Sequence, residues 1–122
     1  MTEKKIEKIP IEIIVNEKKS TLDLSYVPGN FQSLSFEFLR VHSPSAEVKG
    51  HGKGQEVLQV GKKNVKIVSL EPIGNYGVKP KFSDGHDTGI YSWTYFNWLL
   101  DNKELLWGKY LKEMESSEAS RG

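Results

Sequence analysis

The stretch VKIVSLEPIGNYGVKPKFSDGHDTGIYSW, residues 65–93, decides how this chain folds. Val65 and Ile67 fall on one face and Val68 and Leu70 on the other, the pattern of a strand covered on both sides or covered at one end by a helix. After the turn at Gly74-Asn75, Tyr76, Val78, Pro80 and Phe82 share a face, and Lys79 and Lys81 take the opposite one. This alternation marks a second strand. Pro80 has no amide hydrogen to give a ladder, which places that strand at an edge or at a bulge. Asp84-Gly85 is a favoured dipeptide of the two-residue type I′ hairpin turn. In that register Phe82 faces Asp87 and Ser83 faces His86, so Asp87 lies at the rim of the apolar face and His86 joins the lysine side.

Upstream, Ile9, Ile11, Ile13 and Val15 alternate with polar residues and follow the pattern of a strand opened by Pro10. The polar turn NEKKS leads to a second alternation through Leu22, Leu24 and Tyr26, giving an antiparallel hairpin that Pro28, Gly29 and Asn30 end. Leu34, Phe38 and Val41 then recur at helical intervals, and Pro44 stops a short helix expected from Ser35 to Val41. Ser43 to Gly54 is small and polar, a long loop of the kind that tends to carry function.

Downstream, Ser92 is a helix N-cap, and Trp93, Phe96 and Leu100 follow at helical spacing. Asp101 or Asn102 interrupts and re-caps the chain. Leu106, Tyr110 and Met114 form the apolar stripe of a second helix, widened by Trp107 and Leu111. Gly108 within it costs about 1 kcal/mol relative to alanine, so packing or a large neighbour must justify it. These elements predict an α+β fold, a two-layer sandwich with a mostly antiparallel meander of about five strands, a short helix and a C-terminal helical segment. Residues 1–8 read as a charged arm, 9–115 as a single domain and 116–122 as a disordered tail.

Composition narrows the function. Seventeen basic and 16 acidic residues leave a net charge of +1, which provides no global attraction to nucleic acid or anionic lipid. Cysteine is absent, which excludes disulfides, thiolate clusters and cysteine nucleophiles. The start MTEKKIEK has no apolar signal core, and no run approaches the ~20 apolar residues that span a bilayer. A soluble cytoplasmic protein is the expectation.

Gly50, Gly52 and Gly54 in GHGKG lack the Gly-Lys-Ser/Thr ending of a phosphate-binding loop. Ser43 and Ser45 stand beside His42, but no nucleophile elbow accompanies them, and serine hydrolase chemistry is rejected. Trp93, Trp98 and Trp107 at helical spacing are read as core. The three histidines, His42, His51 and His86, fall in the segments that also hold Glu47, Asp84 and Asp87. Imidazoles with a carboxylate can bind iron or zinc. Histidines in turns more often bond to neighbours or face water, and their spacing here matches no ligand motif.

LRVHSPSAEVKGHGKGQ, then LQVGKKNVKIVSLEPIGNYGVKPKFSDGHDTGIYSW and LWGKYL, together resemble a small bacterial family of unknown function related to the N-terminal domain of gamma-butyrobetaine hydroxylase. The similarity runs from about Ile9 to Leu111. It implies an α+β fold. In hydroxylases with this domain, catalysis belongs to a separate iron and 2-oxoglutarate domain, and related domains are attached to P-loop carriers of iron–sulfur clusters. The resemblance therefore implies an accessory role. It also implies a zinc site of three cysteines and a histidine, at positions that here are Ser43, Ser45, Val48 and His86. With valine and two serines in place of thiolates, that site is expected to be lost.

The sequence thus points to a non-catalytic binding domain, without a cofactor of its own, that docks an unidentified protein partner of iron–sulfur or oxygenase metabolism. Its candidate surface joins Arg40, His42, Ser43, Ser45, Glu47, His51, Asp84, His86 and Asp87. The alternative is a metal-binding protein or oxygenase-like enzyme that uses His42, His51 and His86. The surface requires two polar segments far apart in the chain to meet in space.

Overall fold

The computed structural model describes residues 8–50, 54 and 56–122. Strands β1 (Glu12–Asn16), β2 (Thr21–Val27) and β3 (Asn30–Ser35) form one antiparallel sheet in that order. Ile13 pairs with Leu24 and Val15 with Leu22, so the alternation read from the sequence faces the core. Ile9 and Ile11 precede the β1 ladder and are exposed, because pairing begins only at Glu12. The third strand departs from expectation. Pro28-Gly29 does not end the sheet; with Gly29 at φ 78° it links Val27 directly to Asn30 and starts β3. Leu34 of β3 pairs with Leu22, and neither is exposed.

Helix α1 (Phe36–Val41) lies where the sequence predicts it, and the Ser35 hydroxyl accepts the Phe38 amide at 3.0 Å. All six of its residues are buried, Glu37 and Arg40 included. The following segment is not wholly a loop: α2 (Ala46–Lys49) makes one turn, capped by Ser45.

Strands β4 (Ile67–Ile73), β5 (Gly77–Phe82) and β6 (Tyr91–Ser92) form the second antiparallel sheet, with β5 in the middle. The register of β4 slips between Ile67 and Ser69, and Val68 is exposed; a bulge here replaces the two-sided burial expected. β6 pairs only with Gly77 and Val78, so beyond Val78 no strand of the sheet lies on that side of Pro80. Proline is tolerated there for that reason. Helices α3 (Trp93–Asp101) and α4 (Lys103–Ser116) follow, α3 capped by Ser92, whose hydroxyl accepts the Tyr95 amide at 3.0 Å.

Leu24, Phe36, Ile67, Phe82, Phe96 and Leu99 belong to one continuous core drawn from both sheets, α1 and α3. Each such side chain contributes roughly 1.5–3 kcal/mol relative to exposure. Tyr110 and Met114 of the predicted α4 stripe pack with Val41 in a second cluster. The fold is α+β, with six strands among the described residues, in two three-stranded sheets. Gly108 faces open space, so no neighbour demands it. Residues 116–122 are read from sequence as a disordered tail; Ser116 instead ends α4, and 117–122 lie against the domain. Ser120 and Arg121 carbonyls accept the Gly61 and Lys63 amides, and Arg121 forks onto the buried Glu37 carboxylate. That buried charge supplies the anchor that small polar residues alone would not. Among the described residues no helix is long and apolar enough to cross a membrane.

Candidate functional site

The site lies where the α1–α2 connection meets the β5–β6 hairpin. Pro44 ends the first helical segment and leaves Ser43 fully buried at the join. Ser45 starts α2 by accepting the Glu47 amide at 3.2 Å, and this sets Glu47 on the turn that faces the hairpin. Across from it, the Gly85 amide bonds to the Phe82 carbonyl at 3.0 Å and the Phe82 amide to the His86 carbonyl at 2.9 Å. Of this turn only Gly85 takes a positive φ, 91°. The connection is therefore three residues long, Ser83 to Gly85, and not the type I′ pair that Asp84-Gly85 suggests. The extra residue turns over every side chain that follows: His86 points inward and is buried, and Asp87 is exposed.

Both nitrogens of the inward imidazole are engaged. Nδ1 lies 3.0 Å from Glu47 Oε2 and Nε2 lies 2.7 Å from Ser43 Oγ. With the glutamate ionised, Nδ1–H donates and Nε2 accepts the Ser43 hydroxyl proton. Ser43 Oγ also accepts the Ser45 amide at 3.3 Å. Ser45 Oγ bonds to Thr88 Oγ1 at 2.7 Å, a second link between the same two segments. Burial, and next the Arg40 charge, lower the His86 pKa, while Glu47 and Asp84 pull against them.

A neighbouring ionic cluster steadies the hairpin. Arg40 Nε and Lys62 Nζ lie 2.9 and 2.6 Å from Asp84 Oδ2, and Asp84 Oδ1 accepts the His86 amide at 3.2 Å. Burial works against the charge on Asp84, but Lys62, that amide and Arg40 outweigh it and hold its pKa at about 2. The second arm of Arg40, Nη1, donates to Gln59 Oε1 at 2.9 Å.

The two polar segments thus meet. Arg40, Ser43, Ser45, Glu47, Asp84 and His86 form one bonded cluster, but Arg40, Ser43, Ser45 and His86 are buried within it and do not form the surface expected, whereas Glu47 and Asp87 are exposed at its edge. His42 is tied elsewhere: its Nδ1 donates to the Phe38 carbonyl at 2.9 Å, its ring lies 4.5 Å from that of Phe38, and burial lowers its pKa. His42 lines an open groove of about 560 Å³ with Lys49, Leu58, Tyr95 and Trp98, and Ser43 and Gln59 of the cluster also border it. His51 lies outside the described residues. Among the described residues no three His, Asp or Glu side chains gather as metal ligands. Sequence reasoning missed Thr88, Gln59 and Lys62, none of which stands in a pattern. It also missed Gly89, where a Cβ would lie 2.3 Å from Ser43 Oγ.

Ser43, His86 and Glu47 have the connectivity of a hydrolase triad. Their setting does not suit that chemistry, because Ser43 has no exposed surface on which a substrate could be attacked.

The sequence model for the gamma-butyrobetaine hydroxylase-like N-terminal family matches residues 13–97, which include every part of this cluster. The chain belongs to that family. Solved structures of similar fold are found as well. One solution NMR structure is 47% identical with a TM-score of 0.80, the match covering 94% of this chain and 90% of the other. A second is 44% identical with a TM-score of 0.80, covering 99% and 90%. A crystal structure of a protein of unknown function in the DUF971 family, from Acidithiobacillus ferrooxidans, is 34% identical with a TM-score of 0.60, covering 74% and 90%. No curated protein matches. The zinc that the family resemblance implies does not fit the residues present. Ser43 and Ser45 are neutral hydroxyls already bonded to His86 and Thr88, Val48 is a buried hydrocarbon, and His86 has both nitrogens engaged.

Proposed function

We propose that this domain is a non-catalytic docking module whose working face is built by the α1–α2 connection and the β5–β6 hairpin. One observation carries the reading: the polar side chains of the cluster are spent on one another. Ser43, His86 and Ser45 cross-link two distant segments, and Arg40 and Asp84 lock the turn, so the buried side chains of this cluster are engaged with one another. Such a network shapes a rigid surface. What it presents outward is polar and local: the exposed Glu47 carboxylate, Asp87 and Thr88. Exposed polar groups held on a well-packed scaffold suit recognition of another protein.

The partner is a component of iron–sulfur or iron/2-oxoglutarate oxygenase metabolism, as the company kept by related domains suggests. The test is a titration of the 15N-labelled domain with a purified P-loop iron–sulfur carrier and, separately, with an iron/2-oxoglutarate oxygenase catalytic domain. Resonance shifts centred on Glu47, Asp87 and Thr88, weakened by Glu47→Arg and Asp87→Arg, are expected with one of them. Shifts confined to the β1–β3 sheet, or none with either protein, would sink the reading.

A further inference from the structure

The residues after α4 reach across the domain. Glu118 takes a left-handed φ of 52°, reversing the backbone, and the Ala119 amide closes the turn on the Met114 carbonyl at 2.9 Å. The chain then runs beside residues 61–63: Gly61 donates to the Ser120 carbonyl at 2.9 Å and Lys63 to the Arg121 carbonyl at 2.7 Å. Arg121 anchors the crossing, with Nε and Nη2 each 2.8 Å from a Glu37 carboxylate oxygen and its guanidinium 5.3 Å from the centre of the Trp107 ring.

Lys62 sits between the two tethered residues, and its ammonium lies 2.6 Å from Asp84. The same carboxylate holds the His86 amide and Arg40. The segment is stitched to the turn a second time, since Lys66 donates to Ser83 Oγ at 2.9 Å and Ser83 donates to the Lys66 carbonyl at 2.8 Å. A continuous series of contacts therefore runs from Arg121 to His86.

We propose that residues 118–122 are a releasable strap that sets segment 61–63 in place and, through Lys62, fixes the Asp84 turn that positions His86. Strap and turn are then ordered together. Release is feasible because the strap is mostly exposed and held by polar contacts, with Ala119 its one residue packed on the second core cluster. Elements of this kind open more readily than core strands. Glu37 and Arg40 both belong to α1, so the helix that receives the strap also carries the second cation bound to Asp84. This coupling exists whether or not the face binds a partner.

A contiguous set of contacts is not itself proof of coupling, and a double-mutant cycle supplies it. Amide hydrogen exchange is followed by NMR on the full chain. Arg121→Ala is expected to speed exchange at Gly61 and Lys63 roughly tenfold or more, and at Ser83, Gly85 and His86 by a smaller factor, with the β1–β3 ladder unchanged. In a Lys62→Ala background, the same substitution should leave residues 83–86 as they are in Lys62→Ala alone. Fast exchange at Gly61 and Lys63 without any change at 83–86, or an equal effect at 83–86 with and without Lys62, overturns the proposal. Unchanged exchange at Gly61 and Lys63 overturns it too. Should Arg121→Ala loosen the β1–β3 ladder as well, Arg121→Lys keeps the cation, loses the two-pronged contact and decides the same comparison in a folded domain.

Discussion

Ser43 Oγ and His86 Nε2 lie 2.7 Å apart although 43 residues separate them in the chain. This bond joins the end of α1 to the β5–β6 hairpin, and both of its residues are buried. Removing the imidazole strands a buried hydroxyl, and removing the hydroxyl strands a ring nitrogen and the Ser45 amide. His86→Ala and Ser43→Ala are therefore each expected to lower stability by roughly 1–3 kcal/mol, since the first strands the Ser43 hydroxyl and the second leaves both His86 Nε2 and the Ser45 amide without their partner. Urea unfolding of the single and double variants checks this. The double variant should cost less than the sum of the two, and strict additivity would mean that the bond contributes nothing.

Two glycines separate packing from propensity. A Cβ on Gly89 would lie 2.3 Å from Ser43 Oγ and 3.2 Å from Pro44 Cδ, whereas one on Gly108 meets nothing within 4 Å. Gly89→Ala should push the two halves of the cluster apart and cost about 1–3 kcal/mol. Gly108→Ala, in a helix with open space around it, should stabilise by about 0.5–1 kcal/mol. At about 3–6 °C per kcal/mol for a domain of this size, thermal melts resolve both signs. A stabilising Gly89→Ala would contradict the close approach described above.

The contrast between these elements and the face they support explains what the sequence could reveal. Strict alternation at Ile13 and Val15 and at Leu22 and Leu24 marks the first hairpin, because one buried face imposes period two. Ser92 and the Leu106, Tyr110, Met114 stripe mark the helices in the same local way. β3 was hidden because its exposed Phe31 and half-buried Ser33 and Ser35 blur the period, and because Pro28-Gly29 marks a chain reversal as readily as an ending. The hairpin after Phe82 turned on a single residue: two-residue and three-residue connections both accept Asp-Gly, yet they place His86 on opposite faces. Convergence of Ser43, Glu47 and His86 was an expectation about tertiary proximity that local spacing could not derive. The partners Gln59, Lys62 and Thr88 carry no pattern at all.

The histidines impose a pH dependence whose sign is fixed. Burial lowers the folded pKa of both His42 and His86 below the ordinary 6.5, with Arg40 adding to the effect at His86 against Glu47 and Asp84. Between those lowered values and 6.5 the unfolded chain binds more protons than the folded one, so stability falls as pH drops through that window. Asp84, held at about 2, and Glu37, also lowered, add stability that is present above their unfolded values of 3.8 and 4.5 and is lost as pH falls toward the folded ones. Urea midpoints taken from pH 7.5 down to pH 3 should decline in two stages. A midpoint that rises between pH 7.5 and 5.5 would show that the imidazoles are not buried as neutral groups.

Arg121 and Glu37 give the last prediction, because the pair is unequal in its surroundings. The Glu37 side chain is 7% exposed and that of Arg121 is 36% exposed, so the acid depends on the base more than the reverse. Burial disfavours the Glu37 charge, and the Arg121 bonds and the Tyr110 hydroxyl, which donates at 2.9 Å, outweigh it. Arg121→Ala leaves a buried carboxylate with Tyr110 as its remaining direct partner. The loss should be about 3 kcal/mol near pH 7.5, at the low end for a broken buried pair because Arg121 is itself partly solvated. In the variant, burial is no longer opposed by the guanidinium, so the Glu37 carboxyl takes up its proton at a higher pH than in the wild type. The difference between the two proteins should therefore shrink as the pH falls from 7.5 to 5, since a protonated Glu37 no longer buries an unpaired charge. Paired unfolding curves at the two pH values read this directly. An equal loss at both would mean that Arg121 acts through its packing on Trp107, and the electrostatic account of the anchor would fail.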